Sequence, residues 1–212
     1  MISLAISDMK KYGHNPKHPE MFASAGWWKT EKRYPMEYCH LLSSMAASTC
    51  RGCEGDVVEV GTDYALSTLA LAYGIRDFKD IKTGTKPRKV ITFDVREKIV
   101  TKAIDRAKKL EVDNIQFVLS ESSAVKDYTD HIAFGYIDGC HTFMGCYKDI
   151  QNLAPLLDLS GIILFHDVHD EIPDPTNPKA NGVKQAIQTY MMENPGWVAT
   201  RFFGFGLLGR VL

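Results

Sequence analysis

Apolar residues fall along this chain in short blocks, and the spacing within each block points to helix or strand. From Tyr34 to Ser48, Met36, Cys39, Leu41, Leu42, Met45 and Ala46 form an apolar stripe at helical spacing. The next block, Val57-Val58-Glu59-Val60, is β-branched and nearly continuous, as expected of a short strand buried on both faces of a parallel sheet. Gly61 then permits a sharp turn, and Leu66 to Tyr73 reads as the helix that follows. The alternation repeats. Val90 to Phe93, Asn114 to Leu119, His131 to Ile137 and Gly161 to Phe165 read as further strands. Glu97 to Leu110 and Thr142 to Leu157 read as helices between them, the second with Pro155 near its end. Beyond Asp170, Pro173, Pro175 and Pro178 predict an irregular loop and Gly182 to Met192 a helix. Trp197 to Phe203 and Leu207 to Leu212 then predict a closing hairpin around Gly204 and Gly206. This order of elements predicts an α/β fold: a Rossmann-like, doubly wound, mostly parallel seven-stranded sheet with a C-terminal antiparallel hairpin.

With 212 residues and 45% hydrophobic content, the chain can bury one substantial core. One domain is therefore expected over residues 36–212, preceded by a polar N-terminal extension or substrate lid over residues 1–35. Trp27 and Trp28 in that extension either pack on the domain or line its pocket. Arg76 to Lys89, lysine-rich and holding Gly84 and Pro87, reads as a solvated connection. The net charge of −1 gives no footprint for nucleic acid or an anionic membrane. No apolar run approaches the ~18 residues of a membrane span, and the N-terminus lacks a signal-peptide pattern, so a cytoplasmic protein is expected. Cys50 and Cys53 form a lone C-x-x-C without nearby histidines, which reads as ordinary reduced thiols rather than a zinc site.

Acidic residues recur where the predicted strands end: Glu59, Asp94, Glu121, Asp138 and Asp167. Singly, each reads as a cap or turn residue; together they mark the carboxyl edge, where open α/β sheets bind ligands. Glu59 is costly inside a sheet core, so it is expected to emerge at the end of its strand. The glycine pattern narrows the ligand. A dinucleotide fingerprint needs G-x-G-x-x-G, but Gly61 is followed by Thr62, Asp63, Tyr64 and Ala65, and Asp63 would repel a pyrophosphate. A nucleoside without phosphates but with a positive centre suits Glu59, Asp63 and Asp94 better.

In these features the chain resembles the class I S-adenosylmethionine-dependent methyltransferases, in particular small-molecule O-methyltransferases of the macrolide-sugar and catechol type. The resemblance rests on Val57 to Thr62, Phe93-Asp94, Ser120-Glu121-Ser122, Ile137-Asp138-Gly139-Cys140-His141 and Gly161 to Val168. It implies that Glu59, Gly61 and Thr62 line the methionine part of S-adenosyl-L-methionine, with Ser67 bonding its carboxylate. It implies that Asp94 holds the ribose, and that Glu121 and Ser122 flank the adenine. Asp138 would lie beneath the sulfonium and, with Asp167 and His166, ligate a divalent metal such as Mg2+ or Mn2+. His141 falls where the catechol enzymes carry their catalytic lysine and is the candidate general base. The loop departs from the family by lacking a second glycine, and His166-Asp167 replaces the usual acidic or acid-amide pair.

Methyl transfer from a sulfonium is an in-line displacement, so the protein must align donor and acceptor and make a hydroxyl nucleophilic. The expected partner is a small-molecule hydroxyl acceptor, with neither nucleic acid nor membrane; self-association into a homo-oligomer is left open. Asp138 and Asp167 are expected on adjacent strand ends and can converge on one ion, whereas alternation along a strand turns His166 and Asp167 in opposite directions. Two other readings remain. A metal-dependent hydrolase could use His166, Asp167 and His169, with Asp138 and His141, but leaves Glu59, Asp94 and Glu121 unused. A non-catalytic cofactor-binding subunit is the other, while a nicotinamide-dependent reductase lacks its fingerprint.

Overall fold

The valines that announce the first strand place it in the middle of the sheet. A computed structural model describes residues 36–76, 88–168, 181–202 and 204–211. The expected lid over residues 1–35, most of the lysine-rich connection, His169 and the proline-rich loop lie outside the described residues. The elements in order are α1 (Met36–Gly52), β1 (Asp56–Val60), α2 (Leu66–Ile75), β2 (Val90–Asp94) and α3 (Glu97–Lys109). They continue with β3 (Ile115–Leu119), a 3-10 segment (Ser122–Asp127), β4 (Ile132–Ile137), α4 (Phe143–Leu153) and β5 (Leu157–Phe165). α5 (Gly182–Glu193), β6 (Trp197–Phe202) and β7 (Phe205–Arg210) complete the fold. The seven strands lie in the order β3-β2-β1-β4-β5-β7-β6. The first five are parallel, and β7 runs antiparallel to both β5 and β6.

Both faces of the central strands are buried, which is why they read as runs of apolar residues rather than as alternations. Val58, Val60, Ile91, Phe93, Ile137, Ile163 and Phe165 face the packed sides of α4 and α5. Val57, Val90, Phe134, Tyr136 and Leu164 pack against Leu42 and Ala46 of α1 and against Ala70, Leu71 and Ile75 of α2. α3 joins the second layer through Ala103 and Ala107, which meet Ala65 and Leu69. The strand order reverses between β1 and β4, so a cleft opens at their carboxyl ends.

Two of the boundaries that differ from the sequence reading have a physical cause. α4 stops at Leu153, because Pro155 cannot continue the i→i−4 ladder, and Ala154–Leu156 form a single 3-10 turn instead. β5 begins four residues before Gly161: Leu157 pairs with Ile132 and Ile162 with Phe134. The extra residues between those pairs bulge outward, with Leu159 exposed, and the polar Asp158 and Ser160 hid this part of the strand from a search for apolar runs. Cys50 and Cys53 are both buried free thiols, pushed up by burial to about 11 and about 12 respectively. They therefore stay protonated. No described helix is long and apolar enough to cross a membrane.

The α1–α2 crossing is close enough to reverse an ordinary helix rule. A β-carbon on Gly74 would lie 2.3 Å from the Ser43 carbonyl oxygen, whereas one on Gly52 would meet nothing within 4 Å. Alanine in place of a helical glycine normally adds about 1 kcal/mol. Here Gly74→Ala is expected to lower stability by about 1–3 kcal/mol through overpacking, and Gly52→Ala to leave it unchanged or raise it. Urea unfolding of the two variants checks the contrast; a stabilised Gly74→Ala would mean the helices separate freely.

Candidate active site

Glu59 does not emerge at the end of β1. It shares a face with Val57, pointing toward α2, and is fully buried. The hydroxyls of Thr68 and Thr92 donate to its Oε2 at 2.5 and 2.6 Å, while Oε1 makes no hydrogen bond of good geometry. Burial pushes its pKa up to about 7, a rise that the Ser67, Thr68 and Thr92 hydroxyls oppose and the nearby Asp138 charge assists. Thr62 is buried as well, its hydroxyl 2.6 Å from that of Thr92, and Ser67 is buried in the first turn of α2. Glu59, Thr62 and Ser67, expected along the methionine part of the cofactor, form a buried carboxyl–hydroxyl cluster beneath the loop.

The loop itself turns on Gly61, at φ +98°, where a β-carbon would lie 2.3 Å from the Asp138 carbonyl oxygen. The missing second glycine is replaced by left-handed residues with side chains, Asp63 at φ 38° and Ala65 at φ 61°. Such positions cost roughly 1–2 kcal/mol each for a residue with a β-carbon. Beyond Gly61 the turn is thus made by residues that carry side chains.

Asp94 ends β2 at the rim of the cleft, but its carboxylate is already engaged. Arg96 donates to it from its backbone N–H (2.9 Å), Nε (2.9 Å) and Nη2 (2.8 Å), and the Asp63 backbone N–H adds a bond at 3.2 Å. Burial alone would raise its pKa; the Arg96 bonds and charge overcome that and hold it below the usual range. Arg96 also reaches Asp63 Oδ1 at 3.4 Å.

The cleft measures about 690 Å³ and runs from Val60 and Gly61 past Asp94 and Val95 to Ser120–Ser123, Asp138–Cys140 and α4. Glu121 and Ser122 line this cleft just beyond β3. Ser122 is not free to meet a ligand as a donor, because its hydroxyl bonds Asp149 Oδ1 at 2.6 Å and accepts from Asn152 Nδ2 at 2.9 Å. Asp149 escaped the sequence reading. Its signal was there: it falls on the apolar stripe of α4 with Cys146, Ile150 and Leu153, a place where an acid needs a reason. Burial raises its pKa to about 6, against the Ser122 bond and aided by the Glu121 charge.

Beside the cleft, four titratable groups meet. His141 Nε2 lies 3.2 Å from Asp138 Oδ1 and its Nδ1 3.6 Å from Asp167 Oδ2. His166 Nδ1 lies 3.3 Å from Asp138 Oδ1 and 3.1 Å from Asp167 Oδ1. His166 and Asp167 therefore face the same cluster, contrary to the alternation argument. β5 has ended at Phe165, and Asp167 adopts φ 55°, which swings the chain out of strand geometry. Burial works to lower the His166 pKa, yet the hydrogen bonds and charges of Asp138 and Asp167 outweigh it and lift it to about 9. Asp138 is held below its usual range: burial would raise it, and His141 and His166 lower it.

Donor atoms of Asp138, His141 and Asp167 lie within 4.8 Å of one another, a set able to hold a metal ion. His166, expected as the third ligand, stands against the same two carboxylates through Nδ1. Behind Asp138, the fully buried Tyr136 donates to Oδ2 at 3.1 Å, and its hydroxyl pairs with that of Tyr38 from α1. Tyr38 also packs edge-on against His166, with ring centroids 5.5 Å apart. Neither tyrosine was singled out from sequence, although Tyr136, two residues before Asp138 on β4, shares its face.

The sequence profile of a family described as a methyltransferase domain matches residues 58–168. No curated protein matches the chain in sequence. Among solved structures, the chain is similar to cofactor-bound Rv0187 from MTB, with 19% identity over 97% of this chain and 94% of that one, and a TM-score of 0.69. The O-methyltransferase from Bacillus cereus in complex with SAH gives 14% identity over 91% and 89%, at TM-score 0.68. TomG from Streptomyces achromogenes, an O-methyltransferase involved in tomaymycin synthesis and solved with SAM, gives 14% over 92% and 91%, at TM-score 0.69. At these identities the likeness is one of fold.

The Glu59 carboxyl gives a signed pH dependence. Its folded pKa is raised from 4.5 to about 7, so the folded state keeps a proton that the unfolded chain releases in that window. Stability should then fall as pH rises from about 4.5 to about 7, on the order of 2–3 kcal/mol. Glu59→Gln should flatten this profile and be the more stable protein above about pH 8. Urea unfolding of both proteins at about pH 5 and pH 8 checks it; an equal difference at the two pH values would mean the carboxyl is charged throughout.

Proposed function

The chain belongs to the methyltransferase-domain family, whose profile covers residues 58–168, and on that premise we propose that it transfers a methyl group from S-adenosylmethionine to a hydroxyl of a small molecule. The observation that carries this reading is the meeting of Asp138, His141, His166 and Asp167 beside a cleft of about 690 Å³ at the point where the strand order reverses. The residues present suit the cofactor. Gly61 lines the cleft at the end of β1, Asp94 presents a carboxylate at the end of β2, and Glu59 keeps a buried, unbonded Oε1 beneath the loop.

Gly61, Asp94, Glu121 and Asp138 would hold the cofactor, which supplies an electrophilic methyl group when bound. The protein's own task is to place a hydroxyl in line with that methyl and to remove its proton. His141 accepts the proton at Nδ1, while its Nε2–H donates to Asp138 Oδ1, 3.2 Å away, which orients the imidazole and stabilises its charged form. Tyr136 fixes Asp138 from behind. His166, between the Asp138 and Asp167 carboxylates, offsets their charge so that the imidazole of His141 can still be released to act as base. A small-molecule hydroxyl is the acceptor this reading implies; TomG, whose fold the chain shares, is an O-methyltransferase involved in tomaymycin synthesis.

A second reading draws on the convergence of Asp138, His141 and Asp167 within 4.8 Å. These three would hold a divalent cation, which lowers the pKa of a hydroxyl bound to it. An imidazole among the ligands suits manganese, iron or zinc better than magnesium. The hydrolase alternative uses the same side chains but gives Asp94 and the cleft no role.

Calorimetry with S-adenosylhomocysteine and a methyl-transfer assay with catechol and sugar hydroxyls separate these readings. Wild-type protein should bind, and Asp94→Ala should weaken binding by about 2–3 kcal/mol. If His141 is the base, His141→Ala should lose transfer while keeping cofactor affinity, and EDTA should change nothing. If a metal activates the hydroxyl, EDTA should abolish transfer and added manganese restore it. Absence of any binding by S-adenosylmethionine or S-adenosylhomocysteine would overturn the proposal.

A further inference from the structure

Asp149 is only 9% exposed, yet it lines the cleft from the side of α4. Its two oxygens are in different situations. Oδ1 takes the Ser122 proton at 2.6 Å, and Ser122 in turn is held by the Asn152 amide. Among the described residues nothing donates to Oδ2. That oxygen lies 3.6 Å from where a β-carbon on Gly139 would stand, and Gly139 lines the same cleft. Bare backbone at Gly139 thus leaves the carboxyl reachable from the cleft, and the Ser122–Asn152 pair locks its orientation.

A carboxylate only accepts, so whatever occupies this end of the cleft must present an N–H or O–H. Ser122 has spent its proton, and Glu121 is a second acceptor beside it. Val95, exposed just after β2, lines the same cleft and offers an apolar contact next to Asp94. An apolar contact and an acceptor in one cleft fit a planar base with an amino group on its edge.

Building on the S-adenosylmethionine reading above, we propose that Asp149 is the residue that selects adenine: its Oδ2 accepts a hydrogen bond from the exocyclic 6-amino group, while Ser122 and Asn152 position the carboxyl. A purine carrying oxygen at that position would set acceptor against acceptor and be turned away.

The test is calorimetric titration with S-adenosylhomocysteine and its 6-oxo counterpart, S-inosylhomocysteine, on wild-type protein and on Asp149→Asn. Wild type should favour the adenosyl compound by at least about tenfold. Asp149→Asn, which can offer an amide N–H to an oxygen, should shrink that ratio by about tenfold or reverse it. A merely structural role would lower both affinities together and leave the ratio alone. An unchanged ratio in a folded Asp149→Asn overturns the assignment while the cofactor reading stands. Equal wild-type affinity for the two compounds does the same, even where the variant fails to fold. Binding of neither compound by wild type removes both.

Discussion

A β-carbon on Gly61 would sit 2.3 Å from the carbonyl oxygen of Asp138, so the ends of β1 and β4 can approach only because residue 61 has no side chain. The neighbouring positions depend on that contact. The Gly61 N–H bonds the Phe93 carbonyl, and the Asp138 N–H bonds that of Val60. The carboxyl ends of β1, β2 and β4 are thereby held in one rigid edge. From that edge Asp138 reaches His141 and His166, Asp94 meets the Asp63 backbone, and the cleft opens between β1 and α4. Loosening the contact would move the cleft and the acid–imidazole cluster together.

Carboxyl groups crowd this edge, and the fold handles five of them by four devices. Asp94 is neutralised by a guanidinium fork, and Asp138 and Asp167 share two imidazoles. Glu59 is surrounded by hydroxyls and drifts toward the neutral form, and Asp149 is held by a serine. A buried acid without such a partner would be costly. The edge therefore presents a graded set of charges rather than a uniformly negative surface, which leaves room for a cationic ligand without forbidding a neutral one.

The strands were legible because burial on both faces forces apolar runs, and their acidic ends because a charge must leave such a run where the strand stops. That second rule failed at Glu59. Its solvation comes from Thr68 and Thr92, residues on two other elements that no local pattern links to it. It failed again at His166 and Asp167, where alternation holds only while the chain is a strand and Asp167 has already turned to a left-handed φ. Tyr38 and Tyr136 were invisible for a related reason. Each sits on an apolar stripe and reads as core until its partner across the fold is known. The acid–imidazole cluster, by contrast, was visible as Asp138-x-x-His141 and His166-Asp167, since both segments follow buried strands that must lie side by side.

The Arg96 fork on Asp94 has a further consequence. Asp94 is nearly buried, while the guanidinium that clamps it is about half exposed. Any neutral diol that takes the carboxylate must first lift that cation off, so occupancy is an exchange in which an ion pair is broken and an uncharged contact made. Dissolved ions screen the half-exposed pair more than they screen a buried neutral hydrogen bond. Added salt thus loosens the clamp but leaves the incoming contact largely intact. A nucleoside site with this arrangement fills more readily as ionic strength rises, the reverse of one that recognises its ligand through charge.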